Sequence, residues 1–248
     1  MEVLFTPGGL IPAIALLLVA VAAVTSFITA AFGLGGGVAL LAVMASVMPP
    51  AALIPVHGVV QAGSNAGRAW LLRGAVRWGA LTPFLLGAAL GAAAGGLVAV
   101  DLPPAAVELG VGLFILWSVA FRPPGWLARA GGVAGAASSF LTMFFGATGP
   151  FVAAWVRTLH LGREAHSATH AAAMVAQHGL KLLAFGILGF AFGPWLPLTA
   201  AMLLSGFAGT WAGRRLLMRL TDRVFDRVLA VILVLLALRL VWRGVTGL

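Results

Sequence analysis

The sequence predicts an all-α integral membrane protein made of two inverted five-segment repeats, with short broken helices meeting near the midplane. Three observations predict it. Hydrophobic residues make up 62% of the 248 and charged residues 8%, for a mean hydropathy of +1.10, whereas a soluble domain carries roughly 25% charged residues. The apolar residues fall into ten unbroken segments rich in Ala, Leu and Gly, which favours helices over the alternating pattern of membrane strands. Rare residues recur when the chain is slid by 113 positions.

Breakers and charges set the segments at 10–32, 35–48, 51–72, 76–100, 104–121, 127–145, 149–160, 165–187, 195–218 and 224–243. Two are short, 35–48 and 149–160, and each follows a full-length segment and a glycine-rich break. The breaks are Gly33-Leu34-Gly35-Gly36-Gly37 and Gly146-Ala147-Thr148-Gly149-Pro150. A crossing needs about 20 apolar residues, so neither short segment comfortably spans the core. The 113-residue shift places Phe32 on Phe145, Gly33 on Gly146, Gly36 on Gly149 and Gly37 on Pro150. With no gap it then places His57 on His170, Asn65 on His178 and Arg68 on Lys181. The expected repeats are 1–122 and 123–248, with five segments each.

An odd number of segments inverts the second repeat relative to the first. If all ten cross, Arg73 and Arg77, Arg122 and Arg129, Arg157 and Arg163, and the arginines between 214 and 227 share one side. The other side carries Pro49-Pro50, Asp101, Ala147-Thr148 and residues 190–194, without a basic residue. If the short segments were re-entrant, the 214–227 arginines would lie opposite Arg73 and Arg77, against the positive-inside bias. Ten crossings with both termini outside is the expected topology, with Arg239 and Arg243 as its exceptions.

The net charge of +9 comes from 15 basic against 6 acidic residues. Arginines between apolar segments read as membrane anchors, so no nucleic-acid partner is expected. The absence of cysteine excludes disulfides, zinc–thiolate sites, iron–sulfur clusters and cysteine nucleophiles. Met1 to Gly9 has no Lys or Arg, unlike the start of a cleavable signal peptide.

The candidate chemistry lies at the breaks and on two polar stripes. Helices opening at Gly35, Gly36 and Gly37 and at Gly149-Pro150 would present free N–H groups and a partial positive charge, suited to an anion. Such broken helices form substrate sites in transporters, although glycines also serve tight helix packing. Segment 51–72 places His57, Gln61, Ser64, Asn65 and Arg68 on one face. Segment 165–187 does the same with His166, His170, Gln177, His178 and Lys181, the only lysine. Polar groups at membrane depth are costly and usually face a cavity or one another. The plainer alternative is interhelical glue, with Arg68 and Lys181 snorkelling to an interface.

The acidic residues Glu2, Asp101, Glu108, Glu164, Asp222 and Asp226 sit at segment ends or in loops. No carboxylate is available at depth to neutralise a cation or relay protons, so the expected substrate is an anion. His166 and His170 could bridge a metal, but no carboxylate pair accompanies them. No nucleophile–base pair or phosphate loop is present, so neither catalytic residues nor a cofactor are expected.

These features resemble the TauE/SafE family of sulfite exporters and related anion permeases, over nearly the whole chain. The resemblance rests on Phe32-Gly33-Leu34-Gly35-Gly36-Gly37 and on Arg73…Trp78 leading to Gly87…Gly91…Gly95. In the second half it rests on Phe145-Gly146-Ala147-Thr148-Gly149-Pro150, and on Gly206…Gly209…Gly213-Arg214 before Asp222-Arg223-Val224-Phe225. It implies export of sulfite, or a small organosulfur or carboxylate anion, across a bacterial cytoplasmic membrane by a multi-pass protein. Gly33, Gly35, Gly36, Gly37, His57, Gln61, Asn65, Arg68, Gly146, Thr148, Gly149, His170, Gln177, His178 and Lys181 are the candidate substrate-binding residues. The alternatives are a metal-ion or cation permease using the His166/His170/His178 face, and a non-transporting partner subunit. A homo-oligomer is left open.

Overall fold

The computed structural model describes residues 7–98, 104–121, 130–146, 148–217, 219 and 222–247. Glu2, Asp101, Arg122, Arg129 and Ala147 lie outside the described residues. The described residues form ten α-helices and no strand. They are α1 (Pro12–Phe32), α2 (Gly36–Val47), α3 (Pro50–Leu71), α4 (Trp78–Val98), α5 (Pro104–Ala120), α6 (Gly131–Phe145), α7 (Gly149–Arg157), α8 (Arg163–Ile187), α9 (Leu196–Leu217) and α10 (Asp222–Thr246). One helix stands on each of the ten segments expected from the sequence.

Local chemistry explains the breaks. Gly33 ends α1 in the left-handed region at φ 83°, its N–H bonded to the Thr29 carbonyl at 2.8 Å. Gly146 ends α6 in the same way, at φ 73° with its N–H on the Thr142 carbonyl at 3.1 Å. Glycine takes positive φ without the steric penalty of a side chain. Two residues on, Gly35 turns the chain at φ 99° into α2. Proline opens α1, α3 and α7, where its missing N–H removes no helical bond.

The helices pack in pairs. α4 lies along α6 and α1 along α9, while α3 packs on α8 and α5 on α10. Small residues let the backbones touch. A Cβ on Gly87 would sit 1.8 Å from the Gly132 carbonyl oxygen, and one on Gly91 2.0 Å from that of Ala136. Across the α1–α9 contact, a Cβ on Gly209 would sit 2.0 Å from the Ala23 carbonyl oxygen. Without a hydrophobic driving force in lipid, such close packing is what holds helices together.

Each short helix sits inside an apolar cluster. Leu40, Leu41 and Met44 of α2 pack with Leu18, Val56, Leu198 and Met202. Val152, Trp155 and Val156 of α7 pack with Leu81, Phe84 and Met174, and the Trp155 and Phe84 rings stack at 4.8 Å. The outer surface is apolar too. Leu16, Leu86, Leu90, Leu97, Ile187 and Leu204 are 68% to 84% exposed, the reverse of a water-soluble surface. By length and composition, α1 and α4 among the described residues can each cross a membrane, and α2 and α6 are shorter apolar helices.

Candidate functional site: a cavity between two broken-helix tips

The two glycine breaks open onto one cavity. Leu34, Gly35, Gly37 and Val38 from the start of α2 line it, with Gly149 from the start of α7. Thr29 of α1, His57, Gln61 and Asn65 of α3, and His170, Met174 and His178 of α8 complete the wall. No side chain caps the N-terminus of either short helix. Among the described residues, the first bonded amide of α2 is Ala39, on the Gly35 carbonyl, and that of α7 is Val152, on the Thr148 carbonyl. A helix start leaves its first amides without an intrahelical partner, with the positive end of its dipole.

Each of these helix starts is held by a histidine on the third helix of its half. His57 Nε2 bonds the Gly37 carbonyl at 2.9 Å, and His170 Nε2 bonds the Gly149 carbonyl at 3.0 Å. A carbonyl only accepts, so both nitrogens carry the proton. His170 is further constrained: Arg68 Nη2 donates to its Nδ1 at 2.9 Å. With a guanidinium on one side and a carbonyl on the other, His170 is the neutral Nε2–H tautomer with both nitrogens committed. No group of three metal-ligating side chains occurs among the described residues. His166 is only partly buried and stacks on His170 with ring centroids 6.5 Å apart, away from the cavity wall.

Behind the wall lie two buried basic side chains. Arg68 Nη1 donates to the Thr29 carbonyl at 3.0 Å and the Gly33 carbonyl at 3.1 Å, satisfying the end of α1. Its Nη2 also donates to Asn65 Oδ1 at 2.8 Å. Lys181 Nζ donates to the Gly146 carbonyl at 3.3 Å, at the end of α6. Both are buried, 3% and 0% exposed, so neither snorkels. Among the described residues, their hydrogen-bond partners include no carboxylate, and the sequence has no acidic residue between Glu2 and Asp101 or between Glu164 and Asp222. Burying a charge without a counter-ion is costly, so the region favours a negative guest.

Of the sequence-predicted residues, Gly35, Gly37, His57, Gln61, Asn65, Gly149, His170 and His178 border the cavity. Gly33, Gly36, Gly146, Thr148, Gln177, Arg68 and Lys181 stand behind it. Gly36 lies against α1, where a Cβ would be 1.8 Å from the Thr25 carbonyl oxygen. Gln177 donates to the Thr148 hydroxyl, and to the Ser138 carbonyl at 3.4 Å. Ser64 pairs with Ser26 at 3.0 Å and ties α3 to α1. Thr29, Leu34, Val38 and Met174 also line the cavity and were not singled out in the sequence. The 113-residue shift carries a signal for one of them, since it pairs Gln61 with Met174.

Among the described residues, three buried imidazole nitrogens have no hydrogen-bond partner: His57 Nδ1 and both nitrogens of His178. The two rings meet edge to face at 6.1 Å. Orphaned polar atoms beside two uncapped helix starts are what a polar guest would satisfy.

No curated protein and no solved structure gives a significant match to the chain. The family described as sulfite exporter TauE/SafE matches residues 18–240, from within α1 to within α10, with both glycine breaks and both polar helices inside the match. The chain belongs to the sulfite exporter TauE/SafE family of membrane transporters.

Proposed function

We propose that the protein is a secondary transporter exporting sulfite, or a closely related small organosulfur or carboxylate anion, from the bacterial cytoplasm. The observation that carries the reading is the convergence of the α2 and α7 starts on one cavity backed by Arg68 and Lys181, with no carboxylate among their partners in the described residues. The anion is held by backbone N–H groups of the two tips, by Gln61 and by His178. Arg68, Lys181 and His170 set the positions and the field. With the inside negative, each exported charge gains about 2.3 kcal/mol per 100 mV, so anion export runs without ATP.

We further read the chain as two inverted halves, 1–122 and 123–248, in ten crossings of the cytoplasmic membrane with both termini outside. The pairing of helices supports it. α4 with α6 and α9 with α1 are equivalent contacts under the 113-residue shift, and α3 with α8 and α5 with α10 are equivalents of themselves.

The test is sulfite efflux from liposomes holding the purified protein, with sulfate, thiosulfate, acetate and sulfoacetate as competitors. Saturable efflux, slowed at least about tenfold by Gly37→Leu placed in the wall, is the expected result. Folded protein that moves none of these anions would sink the reading and favour a non-transporting subunit.

A further inference from the structure

The two halves differ where they should match. The 113-residue shift sends Arg68 to Lys181 and His170 to His57, so the partner of the Arg68–His170 bond would join residue 181 to His57. Arg68 makes its bond. Lys181 caps Gly146 instead, and His57 Nδ1 is left without a partner, fully buried. Lysine is a single point donor on a flexible stem, where arginine is a fork that reaches two acceptors at once. The substitution therefore leaves one histidine locked and the other, on a ring that lines the cavity, with a buried nitrogen that has no hydrogen-bond partner.

That nitrogen has a defined character. His57 Nε2 donates to the Gly37 carbonyl, so neutral His57 presents Nδ1 as a lone pair. The anion-holding groups, backbone N–H and the Gln61 amide, are donors. An oxyanion without a proton meets that lone pair with another lone pair, which is repulsive. A bound proton between them turns the contact into a charge-assisted hydrogen bond.

We propose that the site binds its anion together with one proton, held between an anion oxygen and His57 Nδ1. The bound unit is a hydrogen oxyanion on neutral His57, or equally the dianion on the imidazolium, with the same atoms and the same total charge. Sulfite, which exists as hydrogen sulfite and as the dianion, is therefore taken with one negative charge rather than two. The titratable and charged groups facing His57 are Lys181, His178 and His170 of α8, with Arg68 three turns along its own helix. α1, α2 and α6 carry none, and α9 carries only Arg214 and Arg215 in its exposed last turn. The inference rests on the anion reading above.

The experiment is calorimetric titration of the purified full-length protein with sodium sulfite under nitrogen, in buffers of different protonation enthalpy. The pH range runs from below to above the second ionisation of sulfurous acid. On the alkaline side, the wild type takes up about one proton per anion bound, and its affinity falls about tenfold per pH unit. Lys181→Arg keeps the charge and supplies the missing fork to His57. It abolishes the proton uptake and weakens binding about tenfold or more. His57→Leu gives the same loss by removing the acceptor. Proton uptake that persists in folded Lys181→Arg, or sulfite binding by the wild type with no proton uptake, overturns this inference and leaves the anion reading standing. Folded wild type that binds no sulfite at any pH overturns both.

Discussion

At the residue scale, one guanidinium joins four elements. Arg68 on α3 satisfies the last carbonyls of α1 and fixes the tautomer of His170 on α8, which in turn grips the first turn of α7. Arg68→Leu leaves the Gly33 carbonyl, Asn65 Oδ1 and His170 Nδ1 buried and unpaired. The expected cost is about 3 kcal/mol of stability, read as an earlier midpoint in denaturant unfolding of the purified protein. Two glycines in the first break should respond differently to alanine. At Gly33 there is open space but φ is +83°, so Gly33→Ala costs only the left-handed penalty of about 1–2 kcal/mol. At Gly36 the new Cβ meets the Thr25 carbonyl oxygen at 1.8 Å and Thr29 Oγ1 at 2.2 Å. Gly36→Ala must push α2 off α1, and thermal unfolding of the pair would rank it as the worse of the two. The polar stripes were legible in the sequence because ionisable residues are rare in an apolar chain. Their division of labour was not. That Ser64 goes to Ser26 and Arg68 to Thr29 depends on which helix lies alongside, 38 and 39 positions away. Val38 gave no signal because an apolar residue in an apolar helix has nothing to mark it as lining a cavity.

At the element scale, the helices and breaks were readable because the punctuation is chemical. Proline opens α1, α3 and α7, while glycine at positive φ closes α1 and α6. Partner choice was less readable, because it depends on small residues matching across a contact and not within one helix. Gly91 of α4 faces Ala136, and Gly209 of α9 faces Ala23, with equal clearance of 2.0 Å to a carbonyl oxygen. Gly91→Leu and Gly209→Leu should each separate a helix pair. The expected outcome is a sharp drop in folded, monodisperse protein after detergent extraction. Gly74→Leu, with no atom within 4 Å of its added Cβ, should extract like the wild type.

At the scale of the whole molecule, the sequence placed the arginines on one side with two exceptions, Arg239 and Arg243. Arg243 Nη1 donates to the Ala45 carbonyl at 3.4 Å, in the last turn of α2. It therefore serves a helix end, a role that hydropathy cannot report. The topology has a direct test because the chain has no native cysteine. A single cysteine at Gly74, beside Arg73 and Arg77, should react with an impermeant maleimide only in inside-out vesicles. One at Gly193, in the arginine-free stretch, should react in intact cells. The opposite pattern would reverse the orientation.

The strongest helix contacts run between the first five helices and the last five: α4 on α6, α1 on α9, α5 on α10 and α3 on α8. Each half is thus the other's scaffold, and the glycine faces of α4 and α9 find backbone only across the divide. Expressed alone, residues 1–122 should be degraded, since their tightest surfaces would open onto lipid. Expressed as two separate chains, 1–122 and 123–248 should find each other and restore efflux. A covalent link between them would then be a convenience of synthesis, and interlocking of the two chains would be enough to make the transporter.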